Sequence, residues 1–405
     1  MRCCSLFVAC ALLALATTAV QAHAVAAVPR RAPKHHELTA SYSFEQFIHD
    51  FSKPHCPKKD PIGYAERKGL FDAELHAVLV HNADTTQTYK KGINTYTDWT
   101  TDEKRRLRGH KQSLKQRSVT LREANRRKTG THKQLTRAQQ ILRNGAQLPR
   151  FVDYRLSVPS ILTAVKDQGQ CGSCWAHAAT ESIESYYALS TGKLYTLSQQ
   201  QISSCTPNPD QCGGTGGCNG AIAELAFDYI TFAGGITSEW MYPYQSYWGT
   251  NFNCTSPSAQ HIPQVTTTGY ADVGHNDHAA LEAALASIGP VAVSVDASGW
   301  GNYEGGIFSG CNYAANISMD HAVQAVGYGH DFTSGLDYWI VRNSWSPDWG
   351  ENGFIKLLKT QQGSCGWNVQ PQNGDGCKGQ TAPEWSCGMC GIAYDGIYPN
   401  VASNP

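Results

Sequence analysis

The chain has 405 residues and equal numbers of basic and acidic side chains, 33 of each, so its formal net charge is zero. That length supports a large core and more than one folding unit. The charge is unevenly spread: residues 101–147 hold 14 Lys+Arg against 3 Asp+Glu, and residues 148–405 hold 8 against 21. A basic strip leading into an acidic body reads as a removable or self-associating linker, and nucleic acid is not expected as a partner.

Arg2, an apolar run from Leu6 to Val20 and the sequence Gln21-Ala22-His23-Ala24 predict a secretory signal peptide over 1–24. The run is too short for a lasting membrane anchor, and no other segment is apolar enough to span a bilayer. The 15 cysteines then fit an oxidising compartment. Cys3, Cys4 and Cys10 leave with the signal, and Cys56 lies in the N-terminal region. Eleven follow from position 171; reserving one as a thiol leaves ten, enough for five disulfides. Zinc is the competing reading of dense cysteines. The spacings give no paired CxxC hooks beyond Cys171-x-x-Cys174 and Cys387-x-x-Cys390, so neither metal nor cofactor is expected.

Residues 42–98 read as a small helical unit. Phe44, Phe47, Ile48 and Phe51 recur at helical spacing, as do Phe71, Leu75, Val78 and Leu79 within 64–81. Gly92-x-Asn94-x-Tyr96-x-Asp98 closes the unit. Residues 99–147 form the basic linker, with Arg105-Arg106 and Arg126-Arg127; Ala138 to Leu142 suggests a helical piece, but mobility is expected overall. The body runs from Leu148 to 405. Helices are predicted over 174–189, stopping near Gly192, and over 198–205 and 221–232. Strand signals follow at 291–295, 322–328, 338–341 and 353–357. His275 and His278 flank Asn-Asp and read as solvated.

The chemistry sits in Gln168-Gly-Gln-Cys171-Gly-Ser-Cys174-Trp, Asp320-His321-Ala and Arg342-Asn343-Ser-Trp345. A thiol opening a helix has a lowered pKa, because the dipole and free N–H groups favour the thiolate. A histidine and an asparagine beside it complete a Cys-His-Asn nucleophilic site. These motifs resemble those of the papain-like cysteine proteases. The resemblance covers about 44–98 and 148–398.

The resemblance implies an α+β, two-subdomain fold with a helical half facing a β-barrel-like half, preceded by a helical inhibitory prodomain. It implies a secreted or vacuolar cysteine endopeptidase made as an inactive proenzyme. Its partners would be protein and peptide substrates and its own pro-segment, and a monomer is expected. Cys174 would be nucleophile, His321 acid and base, and Asn343 the group that orients the ring. Trp345 would shield that hydrogen bond, and Gln168 would supply an oxyanion donor. Arg67, Phe71, Val78 and Asn82 fall on the pro-segment helix pattern of the cathepsin L-type branch, although Gly63 and Glu74 replace two of its residues. The Gly92-to-Asp98 motif matches with Tyr96 for Phe.

Gly217-Cys218-Asn219-Gly220 resembles the family's substrate-strand motif, with Ala221 for the last Gly. Ile222, Ala223, Ser294, Met319 and Asp395 would line the pocket for the second side chain before the cut, with Asp320 as a local hydrogen-bonding group beside it. Asp395 reads either as an acid at the pocket floor that accepts Arg or as a solvated turn residue. Ser346-Pro347 departs from the Gly usual after this Trp. No histidine pair lies between Pro243 and Pro263, which favours an endopeptidase over a carboxydipeptidase. The implied disulfides are Cys171–Cys218, Cys205–Cys254 and Cys311–Cys390. Cys212 is expected to pair with Cys365, Cys377 or Cys387, and the other two with each other. The Gly- and Gln-rich stretch 361–389 has no family counterpart. Asn253-Cys-Thr and Asn316-Ile-Ser are glycosylation sequons. The rival from another class is a catalytically inactive homologue acting as a binding or structural protein.

Overall fold

The computed structural model describes residues 32–109, 135–255, 264–360 and 364–401. The signal peptide and Arg126-Arg127 lie outside the described residues. Three units follow one another: a helical N-terminal unit, a helical half and a β half.

In the N-terminal unit, α1 (Phe44–Asp50) opens with a capping box in which Ser43 and Gln46 satisfy each other's backbone N–H. The longer α2 (Pro61–Ala83) starts with Asp60 as cap and Pro61 at its first position. Phe44, Phe47 and Phe71 stack into a core with Leu75 and Val78, matching the periodicity read from sequence. Next come β1 (Tyr89–Lys91) and α3 (Thr101–Arg106). Arg67 on α2 grips Glu103 on α3 through two 2.6 Å bonds. The Arg67 guanidinium draws the Glu103 carboxyl down from 4.5 to about 2. A depressed carboxyl adds stability above its unfolded pKa and loses it as pH falls through the folded one. The melting difference between wild type and Glu103→Gln should therefore be complete above about pH 5 and shrink as pH falls from 4.5 towards 2. A difference that is constant across that window, followed by thermal denaturation, would refute the tie.

The linker is ordered at both ends. Residues 101–109 belong to the packed N-terminal unit, and α4 (Arg137–Arg143) packs beside β3 and α8, introduced below. Thr136 donates to Val273 O and Gln139 to Asp277. The expected mobility therefore does not extend to these ends.

After β2 (Val152–Asp153), the helical half is built on α5 (Cys174–Thr191), α6 (Gln199–Cys205) and α7 (Ala223–Ala233). Helix α5 is buried through nearly all its length and ends on Gly192 at φ 71°, a left-handed cap that suits glycine. Its buried hydroxyls satisfy themselves: Thr180, Ser182 and Ser185 each donate to the carbonyl four residues back.

The β half contains β3 (Thr267–His275), α8 (His278–Ser287), β4 (Val291–Val295), β5 (Tyr303–Phe308), β6 (His321–Asp331), β7 (Leu336–Arg342) and β8 (Phe354–Leu358). A hairpin of β9 (Cys365–Asn368) and β10 (Glu384–Cys387) follows, and then β11 (Asp395–Val401). The sheet has nine strands in the order β1-β5-β8-β7-β6-β4-β11-β3, with β2 pairing to β6. Strand β1 thus extends the body's sheet, antiparallel to β5. Two sequence readings change here. His278 is buried in the first turn of α8, where burial pushes its pKa down, rather than solvated. Asp395 begins a strand opposite His275 rather than a turn.

Among the described residues there are five disulfides, Cys171–Cys218, Cys205–Cys254, Cys212–Cys377, Cys311–Cys390 and Cys365–Cys387, while Cys174 keeps its thiol. Asn253 and Asn316 are exposed, and Asn316 Oδ1 accepts from Val369 N–H.

Candidate active site

Helix α5 delivers Cys174 from one side of the cleft. The sheet delivers its partners from the other. His321 is the first residue of β6, and Asn343 follows the last residue of β7; because β6 and β7 are antiparallel neighbours, the two side chains meet. His321 Nε2 lies 2.8 Å from Asn343 Oδ1. That oxygen also accepts from Ser344 N–H, so the ring nitrogen must be the donor. The proton therefore sits on Nε2. Nδ1 has no hydrogen-bond partner among the described residues, and its lone pair is open. Trp345 covers the ring at 4.9 Å, and Trp300 meets it edge-on at 6.1 Å. His321 is 2% exposed.

Gln168 is held at both ends of its amide. Its Oε1 accepts from Ser344 Oγ at 2.6 Å, which aims the NH2 group at Cys171 O and Leu107 O, 2.8 and 2.7 Å away. Leu107 belongs to the N-terminal unit. Its carbonyl also receives the Trp345 indole N–H at 3.4 Å. Two residues on, Gly109 is wedged among Gly172, Cys174 and Gly220 at φ 71°, where a Cβ would press on Gly172 O at 3.0 Å and Cys174 Sγ at 3.3 Å. The N-terminal unit thus closes the cleft with 107–109, just beyond α3.

This closure sets the electrostatics. Burial pushes the Cys174 thiol up to about 12, against the pull of backbone N–H groups from Ala322 and Trp175. Burial pushes His321 down to about 4. The covered site therefore favours a neutral thiol and a neutral imidazole rather than the thiolate that a helix start favours. Desolvation outweighs the helix dipole here.

The pocket residues divide between two cavities. Ile222, Ser294, Met319 and Asp320 line one cavity together with Cys174 and His321. Ala223 and Asp395 line an adjacent one, which shares Ser294 and Ala322 with the first. Gly220 sits at the rim against Gly109. Ser346, where the resemblance anticipates glycine, holds φ 74°; an L-residue there costs about 1–2 kcal/mol. Sequence reading missed Leu107, Arg108, Gly109 and Asp375. The first three stand immediately after the Arg105-Arg106 pair of the basic linker, and Asp375 lies in the 361–389 stretch for which the sequence offered no family counterpart. Among the described residues no group of acidic, histidine or cysteine side chains could hold a metal, and no helix is long and apolar enough to cross a membrane.

The geometry agrees with what the chain resembles. Residues 148–374 match the papain family cysteine protease model, and residues 44–103 match the cathepsin propeptide inhibitor domain. Germination-specific cysteine protease 1 of Arabidopsis thaliana is 36% identical over 312 residues, covering 75% of this chain and 76% of that protein. Cathepsin L of Sarcophaga peregrina is also 36% identical, covering 74% and 83%. The solved digestive procathepsin L2 of Tenebrio molitor larval midgut has a TM-score of 0.68 at 28% identity, covering 89% of this chain and all of that one. An Nε2-protonated histidine paired with asparagine, a thiol opening the facing helix, and an inhibitor unit threaded between them arise here from sequences that match family models at both ends. The chain belongs to the papain family of cysteine proteases and is a cathepsin L-like proenzyme carrying its own propeptide inhibitor domain.

Proposed function

We propose that the mature protein is a monomeric endopeptidase of the secretory pathway, acting in a lysosome or vacuole or outside the cell, in which Cys174, His321, Asn343 and Gln168 carry the reaction. The observation that carries this reading is the open Nδ1 of His321 in the same cavity as the Cys174 thiol. Once 107–109 leave, water re-enters and the desolvation that holds both groups neutral falls away. The thiol proton passes to Nδ1, and the thiolate at the helix start is stabilised by the imidazolium and the dipole.

The thiolate attacks the scissile carbonyl carbon, and the electron pair moves onto oxygen. The Gln168 amide N–H, now free of Leu107, and the Cys174 backbone N–H hold that oxyanion. The imidazolium protonates the leaving amine, which departs and leaves a thioester. His321 then takes a proton from water, the hydroxide displaces sulfur, and the acid product leaves with the thiol restored. Asn343 keeps the ring oriented through both steps, and Trp345 keeps water off that bond. No cofactor enters the scheme.

Replacing Gln168 with alanine should lower kcat by about 10²–10³-fold, the usual cost of an oxyanion donor. KM should change less, because the interaction strengthens only as charge develops. A Gln168→Ala enzyme with an unchanged kcat would remove this residue from the mechanism. The reading as a whole is tested with a thiol-directed irreversible inhibitor applied after acid processing. One equivalent bound at Cys174, with loss of peptide hydrolysis, is expected; absence of labelling would favour the inactive homologue. The secretory assignment rests on the predicted signal peptide, the two exposed sequons and five disulfides. Expression in a eukaryotic secretory host should give protein whose mass falls on N-glycosidase treatment. A non-glycosylated, intracellular product would refute it.

A further inference from the structure

The cleft cavity has a wall that the family model does not describe. The match ends at 374, and the next residue, Asp375, lines the same cavity as Cys174, Met319 and Asp320. Asp375 sits on a belt that joins the two halves of the enzyme. On the β half, Ile317 N–H donates to Trp367 O, and Ser318 Oγ donates to Asn373 O. On the helical half, Cys377 is disulfide-bonded to Cys212, Gly213 N–H donates to Gly376 O, and Lys378 N–H donates to Asp210 O. Gly374 lies so close to the Met319 backbone that a side chain there would collide with it. The belt is therefore anchored on both sides, and the Asp375 carboxyl is fixed in place, 5% exposed.

A cation already occupies this cavity. Arg108, one residue after the carbonyl that fills the Gln168 position, points into it and lies 3.3 Å from Asp320, with 11% of its side chain exposed. The fit is incomplete, since Arg108 Nε is buried without a hydrogen-bond partner among the described residues. Ile222 and Met319 supply apolar walls suited to a methylene stem, and Asp320 and Asp375 add two acidic residues to the same lining, the residue type that a guanidinium fork pairs with. Burial pushes Asp320 up to about 7, and the Arg108 guanidinium beside it opposes that shift. Asp395, by contrast, lines the adjacent cavity beyond Ser294 and Ala322.

We infer that Asp375, carried by the disulfide-anchored belt, joins Asp320 to form a receptor for an arginine side chain of the substrate, and that Arg108 is its occupant in the proenzyme. The inference rests on the protease reading above and adds a specificity residue to the same cleft. By family alignment the pocket takes the second side chain before the cut.

The test uses the processed full-length product and two fluorogenic peptides that differ only at that position, one with arginine and one with citrulline, its neutral isostere. Wild type should favour arginine in kcat/KM by on the order of tenfold or more, the worth of one charge-assisted hydrogen bond. Asp375→Asn should bring that ratio towards one. The ratio is taken within one preparation, so a lower yield of active enzyme cancels. A wild-type ratio near one overturns the inference, even if Asp375→Asn fails to fold. So does a ratio that survives Asp375→Asn, or one that collapses in Asp395→Ala instead. If neither peptide is cut and Cys174 takes no label, the protease reading itself has failed. Both peptides cut at equal rates would fail the inference alone.

Discussion

Cys174→Ala should lower peptide hydrolysis by on the order of 10⁴-fold or more, because among the described residues no other cysteine lines the cleft cavity. The fold should survive. Cys174 opens a helix that already carries Ala176, Ala178 and Ala179, and alanine has the highest helix propensity. The thiol is not part of any disulfide, so no cross-link is lost. Thermal unfolding within a few degrees of wild type, with hydrolysis at background, is the expected pair of results. Activity within tenfold of wild type would sink the mechanism. A grossly unfolded variant would show that the sulfur is needed for packing, and Cys174→Ser would then separate chemistry from stability. His321 offers the matching control: His321→Ala should lose turnover and also leave Cys174 slow towards thiol reagents, since the ring no longer takes its proton.

The residues proposed for catalysis could be picked out of the sequence because each sits where a local signal is strong. Cys174 follows a turn and opens a helix closed by Gly192. His321 and Asn343 flank the two apolar runs that became β6 and β7. Antiparallel pairing of those runs is enough to bring the side chains together. Other parts were silent for physical reasons. Strand β11 contains Pro399 and Asn400, poor strand formers that a period-two pattern does not reveal, yet it pairs with both β3 and β4. Strand β5 carries Gly305 and Gly306, which weaken a strand taken alone and are tolerated because β1 and β8 flank it. Helix α8 is alanine-rich with little contrast between its faces, and its Asp277 cap was masked by the reading of His275 and His278 as solvated. The thiol's protonation could not be read either. A helix N-terminus lowers a thiol pKa and burial raises it, and which wins depends on where 107–109 run, a long-range fact. The belt was invisible for the same reason: cysteine parity limits Cys212 to three partners, and only the fold selects Cys377.

Asp98→Ala should release the latch far more strongly than loss of any surface pair. Asp98 is 1% exposed, and its carboxylate takes Lys53 at 2.8 Å and His55 at 2.6 Å. Lys53 also donates to Thr95 O, and the Asp98 carbonyl accepts from Arg67. The carboxylate thus ties the segment after α1 to the motif turn, while the Asp98 backbone carbonyl, which the substitution keeps, ties that turn to α2 through Arg67. That turn is what docks on the β half: Asn94 donates to Gly301 O, Gly92 N–H donates to Asn302 O, and Tyr96 packs against Trp345. Removing the carboxylate strands the Lys53 ammonium in a buried site, and breaking a buried pair in this way costs about 3–5 kcal/mol. If most of that cost falls on docking, the fraction of proenzyme with an open cleft rises by about 10²–10³-fold. The expected result is hydrolysis by uncleaved Asp98→Ala proenzyme at neutral pH, at a level that wild-type proenzyme does not reach. Cys174→Ala on the same background abolishes it, which excludes a contaminating protease. Asp98→Asn keeps the shape and hydrogen-bonding capacity but loses the charge, so it should fall between the two. Full latency in Asp98→Ala would mean that 107–109 hold the cleft without help from the turn, and the inhibitor would then be a local plug rather than a folded domain that aims one.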